Sequence, residues 1–134
     1  MKGLMPLFLL IFLLLTSCSE IKTNDPKETY KYWAGTNPPD NLEIIKGKYW
    51  ESAHWTREYI MYLKLKPTKK WWNEFIAQNH LQIDTMDWAK TFDSPIWFNP
   101  SKNSIRYKNY EFDQGSRYFQ DTLTKEYYIY EIQL

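Results

Sequence analysis

The chain has one cysteine, four glycines, two histidines and almost no net charge in its 134 residues, and each shortage removes a class of explanation. A single cysteine cannot close an intrachain disulfide, so the fold must be held by packing alone. Gly3, Gly35, Gly47 and Gly115 are too scattered for a glycine-rich phosphate loop, and no Gly-x-Ser-x-Gly elbow occurs. His54 and His80 have no second ligand near them at a metal-binding spacing, so neither a metal nor a cofactor is expected. Lys2 is the only charged residue before Ser19, which leaves 16 basic and 16 acidic side chains in the rest. Such a neutral chain lacks the basic face that nucleic acid requires, and it is not drawn electrostatically to anionic lipid.

Aromatics are what the chain has in excess, at 19% of residues, with 7 Trp, 11 Tyr and 7 Phe. A small domain without disulfides needs large side chains to bury enough area, so most of these rings are expected in a core. The competing use is an exposed ring strip that stacks on a sugar face.

The pattern predicts an α+β domain over residues 41–134: a small antiparallel sheet with one main helix packed on a face, in the order β-β-α-loop-β-β-β. Leu42 to Trp50 reads as a strand, and its apolar phase shifts at Gly47, where a bulge is expected. From Trp55 to Leu65 the odd positions are apolar apart from Arg57, the period-two signature of a strand with one buried face. Pro67 ends it. Thr68 then caps a helix from Lys69 to about Asn79, with Trp72, Phe75 and Ile76 on its inner stripe. Residues 80–100 are irregular, with one helical turn expected near Met86 to Lys90. Ser104 to Lys108, Arg117 to Gln120 and Glu126 to Ile132 read as strands. A turn at Asp113-Gln114-Gly115 and a loop over Asp121 to Lys125 separate them. Tyr128, Tyr130 and Ile132 share one face of the last strand, and Tyr127, Ile129 and Glu131 the other. A strand apolar on both faces belongs in the centre of a sheet. Residues 18–40 contain Pro26, Pro38 and Pro39 without periodicity and read as a polar tether, although Tyr30, Tyr32 and Trp33 offer a means of docking.

Three residues stand out as candidate binding groups. Trp97 and Phe98 lie in a loop between Pro95 and Pro100, where they either stack on a ligand, together with Trp33, or plug the end of the core. His54 lies close in sequence to Glu51 and Glu58, so a general-base pair is conceivable there, against the simpler reading of an exposed turn histidine. His80, just past the helix, suits the carbonyl end of that helix. Asp84, Asp87 and Asp93 lack the glycine and spacing of a calcium loop and are expected to be solvated.

The first 18 residues are more specific. Met1-Lys2-Gly3 gives a basic start, Leu4 to Leu15 is uncharged and apolar, and Thr16-Ser17-Cys18 follows, the layout of a secretory signal. The run is too short for the roughly 30 Å hydrocarbon core, which needs about 20 residues. Leu15-Thr16-Ser17-Cys18 resembles the bacterial lipobox at all four positions. The resemblance implies cleavage after residue 17, a diacylglycerol thioether on Cys18 and acylation of the new amino group. Several acyl chains anchor stably where one does not. Ser19 resembles the residue that follows the cysteine in outer-membrane lipoproteins, so a lipid-anchored protein facing the periplasm is expected. Its domain is expected to be non-catalytic and to bind an envelope protein or a glycan. The alternatives are a carbohydrate-binding module using Trp97 and Phe98, or a small hydrolase around His54.

Overall fold

The computed structural model describes residues 19–134; Cys18 and the signal lie outside them. Seven strands form one antiparallel sheet in the order β1-β2-β3-β7-β6-β5-β4: β1 (Ile21–Thr23), β2 (Glu43–Glu51), β3 (Tyr59–Lys66), β4 (Gln82–Ile83), β5 (Ile105–Lys108), β6 (Arg117–Gln120) and β7 (Tyr127–Gln133). The architecture is the expected α+β, and β7 is the middle strand of the seven, as its two apolar faces require. Two short helices, α1 (Pro26–Ala34) and α2 (Lys69–Gln78), serve one face. Helix α2 starts where the sequence says it should: the Thr68 hydroxyl accepts from the Trp71 N–H at 3.1 Å. Trp72 and Phe75 turn inward onto Tyr49, Met61, Leu63, Leu65, Tyr118 and Ile129. At its far end the His80 N–H donates to the Ala77 carbonyl and Leu81 to Ile76. His80 takes the left-handed conformation, φ 53°, that closes such a helix end. Its backbone, rather than its ring, satisfies the helix carbonyls.

Within the stretch 18–40 expected as a tether, Ile21–Thr23 and Pro26–Ala34 are a strand and a helix of the domain. Ile21, Lys22 and Thr23 pair with Glu51, Trp50 and Tyr49, and α1 packs across β2. The local sequence has the caps for this helix. The Asp25 carboxylate accepts from the Glu28 N–H, Pro26 opens the first turn, and Gly35 closes the last at φ 74°. Arg57 binds the other end, donating from Nη2 to the last carbonyls of α1 at Tyr32 and Trp33. Close packing of α1 also explains Gly47. A Cβ there would lie 2.6 Å from the Thr29 side chain and 3.1 Å from the Pro26 Cα, so any larger residue would lift the helix. The register shift in β2 falls between Ile44 and Lys46, just before the glycine rather than at it.

Strand β3 begins at Tyr59 and not at Trp55. Residues 52–58 form a loop closed at its base by the Ser52 N–H donating to the Glu58 carbonyl at 2.9 Å. Nor has β3 a single buried face. Met61, Leu63 and Leu65 pack under the helices, while Tyr62 joins Phe98, Phe119, Tyr128 and Tyr130 in a second cluster on the opposite face. The irregular stretch 84–104 covers that face. It forms no helical turn near Met86 to Lys90, and its anchors are single side chains: Trp88 against Phe119, Phe98 edge-on to Tyr62 and Tyr128, and Thr91 hydrogen-bonded to the Tyr62 hydroxyl at 2.7 Å.

Candidate functional site

Glu131 stands out on the helix-side face of the central strand. Met61 is its cross-strand partner on β3, and aromatic donors surround its carboxylate. Trp33 Nε1 donates to Oε1 at 2.9 Å, the Tyr59 hydroxyl donates to the same oxygen, and the Tyr118 hydroxyl donates to Oε2 at 2.7 Å. No ion pair to Glu131 occurs among the described residues; the Arg57 guanidinium lies over the Tyr59 ring instead, 4.8 Å from its centroid. Burial, and next the charge of Glu131, push the Tyr59 and Tyr118 phenols far up. They therefore hold their protons and act as fixed donors, not as acids or bases.

Two clefts meet at this carboxylate. One, of about 360 Å³, is lined by Leu81, Phe112, Gln114 and Ser116. The other, of about 480 Å³, is lined by Tyr30, Trp33, Trp71 and Phe75 with Glu74 at its rim. Tyr59, Asn79 and Glu131 border both. Clefts of this size are typical of small-ligand sites. Three donors leave a carboxylate, with about four acceptor positions, one direction open. The arrangement suits binding of a hydroxyl or ammonium group against aromatic walls.

Removing the carboxylate strands three donors. Glu131→Ala is expected to lower unfolding free energy by about 1–3 kcal/mol, the cost of unpaired buried polar groups reduced by water entering the cleft. Glu131→Gln should recover part of this through its amide oxygen. Urea melts with an unchanged slope measure it; an alanine variant as stable as the parent would show that the three donors do not depend on Glu131.

The candidates read from sequence fall elsewhere. Phe98 is 1% exposed, inside the second cluster. Trp97 packs half-buried at its edge, its ring 70° from that of Phe98, so the two form no coplanar strip. Trp33 is committed to Glu131. His54 is exposed on the loop between β2 and β3, its backbone N–H directed at the Ser52 hydroxyl. Its ring makes no hydrogen bond or ion pair with Glu51 or Glu58, whose carboxylates are engaged by Tyr49 and Arg57 and by Thr56. The general-base arrangement is not formed. No three His, Cys, Asp or Glu side chains converge to hold a metal among the described residues.

Asp84 is the sharpest departure from expectation. Its carboxylate is fully shielded and receives Arg106 Nε at 2.8 Å, Arg117 Nε at 2.9 Å and the Met86 N–H at 2.9 Å. Burial pushes its carboxyl up, but the backbone N–H and the two guanidinium groups outweigh burial and hold it below the ordinary carboxylate range. Arg117 also reaches Asp113 at 2.7 Å, and Lys108 meets that carboxylate at 3.3 Å. The network is saturated and structural.

Comparison of the chain with protein-family models, curated proteins and solved structures finds no match.

Proposed function

We propose that the chain is the precursor of a bacterial lipoprotein, cleaved before Cys18 and held on a membrane by acyl chains on that residue, with a small non-catalytic domain that binds an envelope partner. The lipobox resemblance of Leu15-Thr16-Ser17-Cys18, placed directly after a basic start and an apolar run, carries this reading. Cys18 is the sole thiol, so no disulfide competes for it, and a thiolate is the nucleophile that alkylation needs. The neutral charge of the mature chain leaves attachment to lipid rather than to electrostatics. Ser19 supports the outer membrane, facing the periplasm. A binding role is supported by the aromatic-walled clefts at Glu131.

Mass spectrometry of the membrane fraction tests the anchor. The expected product begins at a diacylated or triacylated Cys18, and Cys18→Ser is expected to abolish both acylation and membrane association. A mature chain with Met1 intact would overturn the proposal.

A further inference from the structure

The position of β1 constrains how the domain meets a membrane. Ile21 is already hydrogen-bonded into the sheet. Three residue steps of at most about 3.6 Å each separate it from Cys18, so a lipid on Cys18 holds the folded domain within roughly 11 Å. There is no room for the domain to hang freely. The sheet end at which β1 starts, here the proximal end, must lie close to the headgroups.

Strand pairing shows what else is at that end. Strand β2 finishes and β3 begins there, with Glu51 opposite both Ile21 and Tyr59; β7 finishes there, with Gln133 opposite Tyr59; and β6 begins there. The proximal surface is therefore made by the loop 52–58, the loop 109–116 and the end of β7. These are tied into one surface. Gln133 donates from Nε2 to the Arg57 carbonyl at 3.0 Å, and the Leu134 N–H donates to the Gln114 side chain at 2.7 Å. Each of the two loops carries a large apolar side chain held out in water: Trp55 at 94% exposure and Phe112 at 80%. The two loops bridge β2 to β3 and β5 to β6, whose midpoints are three strand intervals of about 4.8 Å apart, so the loops are spaced by roughly 14 Å across the sheet end and, with the anchor beside β1, give the domain more than one point of contact.

We infer that the proximal end of the domain rests on the bilayer, with Trp55 and Phe112 seated in its headgroup layer. The inference depends on the proposed lipidation of Cys18, which fixes the occupant: an exposed aromatic within reach of an anchored residue meets lipid before it meets anything else. The amphipathic tryptophan ring favours that interfacial layer, and the wholly apolar phenylalanine ring gains by leaving water for the boundary just beneath it. A domain with no net charge has no overall attraction to an anionic surface, so apolar contacts are the means of seating it that the proximal end offers. The other exposed apolar group, Met86, Phe92 and Ile96, belongs to the stretch over the second cluster, on the sheet face and not at the proximal end, although Asp93 of that stretch lines a cleft with Lys22 and Thr23 of β1. Leu123, in the loop between β6 and β7 at the opposite end of the sheet, is the distant reference. In the inferred orientation the cleft beside Phe112 opens next to the membrane surface.

The test uses the full acylated protein in phosphatidylethanolamine–phosphatidylglycerol vesicles containing nitroxide-labelled lipid. Thioether formation occupies the Cys18 sulfur, so Trp55→Cys, Phe112→Cys and Leu123→Cys each offer a single thiol for an environment-sensitive fluorophore. All three side chains are exposed, so the substitutions leave the fold intact. Blue-shifted emission quenched by the nitroxide lipid is expected at 55 and 112, and water-like emission at 123. Water-like emission at 55 and 112 on a protein whose acylation is verified by mass would overturn the orientation while leaving the anchor standing. A second labelled thiol at Cys18 would instead remove the anchor itself, and the orientation with it.

Discussion

Replacing Asp84 by alanine is expected to cost about 3–5 kcal/mol of unfolding free energy, the range for breaking a buried ion pair by removing one partner. The physical reason is what remains. Arg106 and Arg117 are largely buried, with side-chain exposures of 20% and 10%, and they would face each other without the anion between them. Arg117 keeps Asp113, whereas Arg106 keeps only the Met86 carbonyl and the Trp88 face. For a domain with about 5–15 kcal/mol in total, this is a large fraction. The sign with pH follows from the carboxyl being held below its unfolded value. Its contribution is fully present above that value, near pH 4, and is lost as pH falls through the lower folded value. The gap between the parent and Asp84→Asn should therefore be widest at neutral pH and should narrow below about pH 4. Urea melts of both proteins across that range measure it. A pH-independent gap, or none at neutral pH, would show that the carboxylate is not the element holding the two arginines.

How much of this could be read from the chain depends on whether the interaction is local. Helix α2 was legible because Thr68 and the Trp72–Phe75–Ile76 stripe are close in sequence and carry a 3.6-residue period. The central place of β7 was legible because both of its faces are apolar. Helix α1 was obscured. Its Asp25-Pro26 start and Gly35 stop are ordinary signals, but the sequence between them is mostly polar, and its stability comes from docking on Gly47 and from Arg57 at its end. Trp55 and Arg57 extended the apparent alternation of β3 backwards by accident: one points into solvent and the other reaches for α1. The Asp84 network joins residues 22 and 33 positions apart, beyond any local pattern. Glu131 did leave a trace, a carboxylate on the inward face of a central strand with Tyr127 and Ile129. Its three donors come from elements up to 98 residues away, so the site became visible only with the fold.

Phe98 poses the opposite problem, a residue that resembles a binding group in sequence and behaves as core in structure. Phe98→Ala is expected to cost about 3–5 kcal/mol, the transfer term plus the cavity left where the ring was. The ring lies between Tyr62, Phe119 and Tyr128, with centroids 5.2, 6.0 and 5.4 Å away, so edge-to-face contacts are lost along with buried area. Neighbours cannot easily collapse into the space, because Tyr62 is tethered to Thr91 and Asp93. Ile96, two residues earlier and 96% exposed, supplies the internal control: Ile96→Ala should change stability by no more than about 0.5 kcal/mol. Hydrogen exchange then separates two kinds of loss. Because the stretch 84–104 is pinned at its start by Asp84 and packs Trp88, Trp97 and Phe98 onto the second cluster, protection should fall in β3 and β7 as well as in the stretch itself. If Phe98→Ala matched Ile96→Ala, or if exchange rose only within 84–104, the irregular segment would be a detachable flap and the sheet would have one core rather than two.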